Sequence, residues 1–399
     1  MKILETIGVN RAVMALSFAR LADGVGNSLL FIVIPLYVAK LPAPLFPFQE
    51  SVRAGILISF FGIFAGLSQP FTGALIDHVN RRKPFVIAGL LLLAAATMAF
   101  ALASQFAHAL IFRAIQGLGL AITIPATMAL LTNSTEKRTR GGSMGTFSTF
   151  RVSSLAIGPL IGGYMHDHYG FNATFFTGAA FMLVGGLLVQ VWVKEIRVGE
   201  EKRDKKKFRI IDPVLLSSGM IPLGFATFVM AGSFAMIAPL EEEINARLHE
   251  TATTFGFAFS ALMLARIIVQ IPLGHFSDRK GRKKLIVGGL ILIGIATALM
   301  GYVTTTFQLM VLRVFQGIAS GAIATPVFAL VGDLSRPGGE GRQMSIVTMG
   351  FGFGVALGSL FAGILRMYYF ALPFLVVGFL SAIAAWMVHR YARESVGAE

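Results

Sequence analysis

The chain contains no cysteine, and charge of either sign is scarce in it. The lack of cysteine excludes disulfides and thiol chemistry. Charged residues make up 14% of the 399 positions, whereas soluble domains carry about a quarter. Alternating strands of about ten residues, the pattern of outer-membrane barrels, are also absent. The chain cannot cover itself with polar surface, so the sequence excludes a soluble globular domain and disfavours a membrane barrel.

Long apolar runs fill the chain instead, with 55% hydrophobic residues and a mean hydropathy of +0.74. A helix needs about 20 apolar residues to cross the hydrocarbon core of a bilayer, and it satisfies its own backbone in lipid. The first run is too long for a signal peptide and lacks a small-residue cleavage site, so we expect it to remain in the protein. The runs predict an all-α membrane protein with twelve spans, at 12–39, 54–76, 85–103, 108–132, 143–166, 173–193, 214–240, 255–277, 285–303, 307–333, 343–365 and 371–390.

The two halves of the chain repeat one another. Residues 73–84 read GALIDHVNRRKP and residues 274–285 read GHFSDRKGRKKL, while RAIQG at 113–117 returns as RVFQG at 313–317. The copies lie 200 or 201 positions apart. Such a constant offset indicates that one ancestral half was duplicated, which is typical of transporters built from two pseudo-symmetric helix bundles.

The repeat also predicts the domain organisation. We expect a six-helix bundle at 1–193, a charged linker at 194–213 and a second six-helix bundle at 214–399. Spans 1, 4, 7 and 10 should line a central cavity between the bundles. The linker carries both signs of charge and almost no aromatic residues, so it is either a solvated strap or a site for lipids or a partner.

Lysine and arginine set the predicted orientation. With both termini on one side of the membrane, that side holds 25 of these residues and the other side holds four. Basic loops stay in the cytoplasm, so we expect both termini and the linker there, in a multi-pass protein of a bacterial-type inner membrane. The net charge of +14 then reflects loops that face anionic lipid rather than nucleic acid.

Glycine, aspartate and arginine recur together where spans 2 and 8 end. These residues are Gly73, Asp77, Arg81, Arg82, Gly274, Asp278, Arg279 and Arg282. With two six-helix halves, the pattern resembles the loop motif of the major facilitator superfamily, although His78 and Asn80 depart from it in the first copy. Spans 5 and 11 begin at the same face, so their positive helix ends point at the aspartates. The motif predicts a cytoplasmic gate that is closed in one state only; the alternative is a set of charges that merely fixes topology.

Two further motifs narrow the resemblance. Arg113 and Gln116 in span 4 are similar to a motif of proton-coupled members, and span 5 contains the run Gly158, Pro159, Gly162 and Gly163. That run is similar to the end of the motif of the twelve-helix drug:proton antiporters, although Ser154 stands where the longer motif has glycine. The same run is also typical of a kinked and tightly packed helix.

Charged residues inside the spans are few. They are Arg20, Asp23, Arg113, Arg151, Arg266 and Arg313. A charge at bilayer depth costs several kcal/mol unless it is paired or hydrated, so these are candidate site residues. Asp23 is the acid lying well inside a span, and we predict it as the proton-coupling residue with Arg20 and Arg151 as partners. The alternative is a permanent Arg20–Asp23 pair that only holds span 1 in place.

These features predict a secondary transporter that works by alternating access, and two substrate classes remain open. The first is a proton-coupled exporter of small amphipathic compounds, as the resemblance to drug efflux proteins implies. The second is a transporter or flippase of anionic metabolites or anionic lipids, whose arginines bind phosphate or carboxylate. The predicted cavity residues are Asn27, Arg113, Gln116, Arg266, Arg313 and Gln316.

Other classes of function find little support in the sequence. No span carries a metal-ligating pair, a Ser–His arrangement or a paired aspartate site, and no phosphate-binding loop is present, so an enzyme is not expected. A receptor would rarely need duplicated halves with glycines in corresponding helices, so a receptor is not expected either. We expect no cofactor and no metal, a proton gradient as the driving force, and a monomer whose partners are substrate, protons and membrane lipids.

Overall fold

The protein is described here by a computed structural model covering residues 10–79, 81–134, 140–195, 219–334 and 340–394. The side chains of Asp77, His78 and Asp278, and those of residues 341–346, lie outside this description. The described ranges form α-helices with short connections and contain no strand. The helices are α1 (Arg11–Ser28), α2 (Leu30–Lys40), α3 (Glu50–Val79), α4 (Lys83–Ala99), α5 (Phe106–Asn133), α6 (Arg140–Trp192), α7 (Met220–Ala235), α8 (Glu241–Leu248), α9 (Ala252–Lys280), α10 (Arg282–Met300), α11 (Thr306–Leu334), α12 (Glu340–Arg366) and α13 (Leu372–Tyr391).

The all-α class is as the sequence predicts. Within the described ranges, eleven helical segments are long and apolar enough to cross a membrane. One of these covers both span 5 and span 6, because α6 is interrupted only at Gly170, where φ is 78°. A positive φ favours glycine, which has no Cβ to collide with the backbone. This one residue replaces the loop expected at 167–172 and separates α6 into two spans, which gives twelve.

Span 7 differs from the sequence prediction, which ended it at residue 240. The chain leaves α7 after Ala235, passes through a 3₁₀ turn at Ala238–Leu240 that contains Pro239, and continues as α8 to Leu248. Proline has no backbone N–H to continue the helix, so the helix stops and starts again. Glu241, which the sequence places near a span end, begins α8 and is 0% exposed.

The chain separates into two compact units. Of the described residues, unit 1 contains those up to and including Pro47 and those from Phe60 through α6, and unit 2 contains Phe48–Ser59 and the helices from α7 onward. Each unit has its own apolar core. Large apolar side chains point away from these cores, among them Leu102 at 80% and Phe307 at 76% exposure. In a bilayer such side chains meet lipid, which is as apolar as they are.

Candidate functional site

Asp23 lies in α1 of unit 1 and is 1% exposed. Its Oδ2 accepts a hydrogen bond from Nη1 of Arg20, three residues earlier on the same helix face. The other carboxylate oxygen, Oδ1, has no hydrogen-bond partner among the described residues. Asn27 is one turn further along and half-buried, on the same face. The site therefore holds a carboxylate with one oxygen paired and one oxygen available.

Small residues bring the neighbouring helices close to this carboxylate. A Cβ added to Gly24 would lie 1.9 Å from Oγ of Ser154 in α6, and the Ser28 hydroxyl donates to the Ser154 carbonyl over 2.9 Å. Gly185, in the second half of α6, leaves 3.0 Å between its hypothetical Cβ and the Ala19 carbonyl oxygen. Serine at position 154 is thus compatible with close packing, and Asp23 is buried because α6 contacts α1 on both sides of it.

The glycines of the span 5 motif form the same contact between helices. A Cβ on Gly158 would meet Ser28 Oγ at 1.9 Å, and one on Gly162 would meet the Leu29 carbonyl oxygen at 2.5 Å. Pro159 and Gly163 are buried beside them. Arg151 lies one helical turn before Ser154 and is half-buried. The Ser154 hydroxyl donates a hydrogen bond to the Arg151 carbonyl oxygen over 2.7 Å. The motif residues therefore set the distance between α1 and α6.

A buried polar network surrounds Arg113 in unit 1. The Nη1 group of Arg113 donates to Gln116 Oε1 over 2.9 Å, and Gln116 Nε2 donates to the Thr97 hydroxyl over 2.7 Å. The Arg113 guanidinium carbon lies 5.0 Å from the centre of the Phe61 ring. Arg113 is 3% exposed and Gln116 is 0% exposed. Thr97, which the sequence analysis did not single out, thus fixes the glutamine that holds the arginine.

Unit 2 contains the same network at the repeated positions. Arg313 Nη1 donates to Gln316 Oε1 over 3.0 Å, and Gln316 Nε2 donates to the Thr297 hydroxyl over 2.8 Å. Gln316 also reaches the Ser233 carbonyl at 3.4 Å, and the Arg313 guanidinium carbon lies 5.6 Å from the centre of the Phe259 ring. Arg313 is 0% exposed, and its Nε and Nη2 have no hydrogen-bond partner among the described residues.

Arg266 in α9 is the third buried arginine of the predicted cavity set, at 7% exposure. Its Nε likewise has no hydrogen-bond partner in the described part of the chain. No described carboxylate lies within the 4.0 Å ion-pair distance of Arg113, Arg266 or Arg313. Buried charges in proteins are normally paired, so these three arginines are unusual.

The loop motif is described in part. Gly73 and Gly274 face α5 and α11, where their hypothetical Cβ atoms would lie 4.0 Å from Pro125 and 3.1 Å from Thr325. Arg81 and Arg279 are exposed. Because Asp77 and Asp278 have side chains outside the described part, the predicted contacts of these aspartates with spans 11 and 5 stay a prediction.

Two glutamates that the sequence analysis did not select cap the helices after the loop motif. Glu195 accepts the backbone N–H of Arg82 at 2.9 Å and of Lys83 at 3.1 Å. Glu394 accepts those of Arg282 at 3.0 Å and Lys283 at 2.9 Å. Arg282 also donates from Nη1 to Asp333. Carboxylates at a helix N-terminus satisfy free N–H groups and the helix dipole, so the arginines of the motif are held in place at the start of α4 and α10.

Comparisons with known proteins support the same fold. A family profile described as Major Facilitator Superfamily matches residues 16–220 and 223–398. The chain is 30% identical over 313 residues to the multidrug resistance protein MdtG of Serratia proteamaculans, covering 77% of this chain and 75% of that one. It is 29% identical over the same length to MdtG of Salmonella paratyphi B, with 77% of each chain covered.

Two solved structures share the architecture at low sequence identity. A bacterial homologue of the human lysosomal transporter Spinster, in an inward-facing and occupied conformation, superposes with a TM-score of 0.77 at 13% identity over 94% of this chain and 95% of that one. The human organic anion transporter MFSD10 superposes with a TM-score of 0.71 at 18% identity, over 95% of this chain and 99% of that one. With the profile match along nearly the whole length, these findings show that the chain is a multi-pass membrane protein of the Major Facilitator Superfamily, whose members transport small molecules and are not enzymes.

Proposed function

We propose that this protein is a proton-coupled exporter that moves small amphipathic compounds out of a bacterial cell by alternating access, as a monomer in the inner membrane. The observation that carries the proposal is the carboxylate of Asp23, which is 1% exposed and has one oxygen without a hydrogen-bond partner among the described residues. A group of this kind binds a proton readily when its arginine partner moves away, because an unpaired charge is costly in a low-dielectric interior.

The proposed coupling uses two environments of Asp23. Beside Arg20 the carboxylate is stabilised as an ion. When α1 changes its surroundings and the arginine withdraws, burial favours the protonated form. If the protonated protein opens to one side and the compound-bound protein to the other, proton and compound exchange across the membrane. The aspartates of the loop motif, Asp77 and Asp278, act in this proposal as the cytoplasmic gate.

The curated relatives support drug-like compounds as the substrate class. The MdtG proteins, at 29% and 30% identity, are named multidrug resistance proteins. The helix contact of Gly158 and Gly162 with α1 also supports an exporter, because the drug:proton antiporters carry a similar run in span 5. Both features support the proposal independently of Asp23.

Transport in liposomes tests the proposal. Purified protein is reconstituted into liposomes with an acidic lumen, and accumulation of ethidium and of naphthalene-1-sulfonate is followed with and without nigericin, which removes the pH gradient. We expect uphill accumulation of at least one compound that stops with nigericin. Asp23→Asn should fold and bind the compound without accumulating it. Asp167→Asn, which changes an exposed acid in unit 1, is the matched control.

Full pH-driven accumulation by Asp23→Asn, with the same purified amount and elution profile as wild type, would leave Asp23 as a structural partner of Arg20.

A second candidate is a carrier or flippase of anionic metabolites or anionic lipids that needs no proton. The buried arginines favour it, because Arg266 and Arg313 have no described carboxylate within ion-pair distance. The same liposomes distinguish the two candidates: the second predicts that naphthalene-1-sulfonate equilibrates equally fast with and without nigericin.

A further inference from the structure

Arg313 presents one particular edge of its guanidinium group without a partner. Nη1 is occupied by Gln316, whereas Nε and Nη2 have no hydrogen-bond partner among the described residues. Nε and Nη2 lie side by side on one edge of the planar guanidinium, and that edge matches the two oxygens of a carboxylate, phosphate or sulfonate. The side chain is 0% exposed, so the open edge does not face bulk solvent.

The remainder of the Arg313 environment keeps this edge in a fixed direction. Gln316 is held by the Thr297 hydroxyl at 2.8 Å and the Ser233 carbonyl at 3.4 Å. The ring of Phe259 lies beside the guanidinium carbon at 5.6 Å, a distance at which a cation is attracted to an aromatic face. An arginine immobilised in this way loses little conformational freedom when an anion binds.

Unit 2 has a buried arginine, Arg266, at a helix contact where unit 1 has an uncharged residue. A Cβ on Gly117 would meet the Phe61 carbonyl oxygen and the Ala65 nitrogen, whereas one on Gly317 would meet the Leu262 carbonyl oxygen and the side chain of Ala265. The two helix contacts therefore correspond at an offset of about 200 positions, like the rest of the repeat. At this offset Arg266 takes the place of Ala65 or a residue next to it, so the extra positive charge has no equivalent in unit 1.

The two halves also differ in the acidic residues of their corresponding helices. The buried Asp23 lies on α1, whereas α7, which begins the second half of the repeat, carries no charged residue. Glu241 in α8 is buried too, but it lies outside the 4.0 Å ion-pair distance of Arg266 and Arg313. Arg266 and Arg313 therefore have no counter-ion among the described residues, and an uncompensated buried charge is costly.

We propose that the Nε–Nη2 edge of Arg313 binds an acidic group of the transported compound, with the charge of Arg266 strengthening the attraction. This inference rests on the proposed function and specifies its substrate class as amphipathic compounds that carry a carboxylate, phosphate or sulfonate. Arg266 lies on α9 along the same contact with α11, since its carbonyl oxygen is 3.5 Å from the hypothetical Cβ of Gly321. Gly321 is two turns after Arg313, so the backbone of Arg266 lies about 12 Å from that of Arg313 along the helix axis.

Two sources of such an acidic group are compatible with this chemistry, a soluble amphipathic anion and an anionic lipid. Naphthalene-1-sulfonate represents the first and oleoyl lysophosphatidate the second. N,N,N-trimethyl-1-naphthylammonium has the same ring as the sulfonate with the opposite permanent charge, so it reports binding that does not depend on an anion. Equilibrium dialysis of each probe against the purified full chain in non-ionic detergent gives the affinities.

We expect the wild-type protein to bind at least one anionic probe more tightly than the cationic one. Arg313→Gln should lose tenfold or more in affinity for that anion while its affinity for the cation stays within about twofold or rises, because each charge-assisted bidentate contact contributes strongly. Arg313→Lys should fall between the two, since it keeps the charge and loses the fork. Arg266→Gln should lose severalfold. Arg390→Gln, an exposed arginine near the end of α13, should not change any affinity.

The proposal is overturned if Arg313→Gln and Arg266→Gln both elute as folded protein and bind the anions as tightly as wild type, or if no probe distinguishes anion from cation. If Arg313→Gln does not fold, Arg313→Lys and Arg266→Gln decide, and unchanged anion affinity in both overturns the site. Because binding is measured without a pH gradient and with Asp23 intact, anion binding without proton-driven accumulation contradicts only the proposed coupling. Proton-driven accumulation without an Arg313-dependent anion contradicts only this site.

Discussion

The contact between α1 and α6 gives a quantitative prediction for Gly158→Ala. The added methyl group would lie 1.9 Å from Ser28 Oγ, 2.9 Å from the Val25 carbonyl oxygen and 3.0 Å from the Leu29 nitrogen. The serine hydroxyl can rotate, but it then gives up its 2.9 Å hydrogen bond to the Ser154 carbonyl, which contributes about 1 kcal/mol. The two backbone atoms cannot rotate, so the helices must separate.

Overpacking of this kind costs about 1–3 kcal/mol. With the lost hydrogen bond, the expected destabilisation is about 2–4 kcal/mol. Gly66→Ala is the matched control in the same unit, because its hypothetical Cβ has nothing within 4 Å. Alanine is the better helix former by about 0.5–1 kcal/mol, so the control should be as stable as wild type or slightly more stable.

The assay is the temperature at which half of the monodisperse protein is lost on size-exclusion chromatography after heating in detergent. We expect Gly158→Ala to lose monodispersity several degrees below wild type, with Gly66→Ala unchanged or higher. Equal thermal stability of the two alanine variants would refute the close contact between α1 and α6, and with it the packing that buries Asp23.

Three further outcomes are expected from the described contacts. Glu195→Ala removes the acceptor at the N-terminus of α4 and should lower stability by about 1 kcal/mol in the same heating assay; no change would contradict the capping role. Gln316→Leu leaves the Nη1 group of Arg313 buried without its acceptor and should cost about 1–3 kcal/mol, whereas a neutral effect would mean that water takes the place of the glutamine. Hydrogen bonds from the hydroxyls of Thr306 and Thr254 lower the pKa of Glu250 below its ordinary 4.5. These bonds therefore stabilise the fold at pH values above 4.5, and the stabilisation is lost as the pH falls through the lower pKa of the folded state. Stability measured from pH 7 to pH 3 should fall less steeply in Thr306→Val, and identical profiles would contradict this.

Much of the fold follows from the sequence because lipid imposes strict conditions on the chain. A span needs a long apolar run, and a charge inside such a run must avoid lipid. The runs and the repeated motifs therefore predict twelve spans and the family, and the in-span charges identify Asp23, Arg113, Arg266 and Arg313, all of which are buried. The side on which the termini lie stays a prediction from the basic loops.

Other features depend on partners that are distant in the sequence. Thr97 and Thr297 are ordinary helix residues until Gln116 and Gln316 contact them, and Glu195 looks like part of a charged linker until it caps α4. A signal was nevertheless present, because each belongs to a pair about 200 positions apart, Thr97 with Thr297 and Glu195 with Glu394.

The sequence did not predict the break in span 7, and the physical reason is a different one. Three consecutive glutamates at Glu241–Glu243 read as the polar end of a span, whereas in the structure they begin α8 after the turn at Pro239. The positive end of a helix favours acidic residues in its first turn. Glu243 is further held by Arg247 at 2.8 Å and by Arg366. These contacts within unit 2 allow the chain to continue as a helix where hydropathy alone ends it.

Proton movement in liposomes measures directly whether Asp23 exchanges a proton as the compound crosses the membrane. Pyranine trapped in an acidic lumen reports internal pH while a compound that the wild-type protein accumulates is added outside. We expect the lumen to become more alkaline with wild type and with Asp167→Asn. With Asp23→Asn it should not, even though this variant still binds the compound. Alkalinisation of equal size and rate with Asp23→Asn would contradict the role of Asp23 in proton exchange.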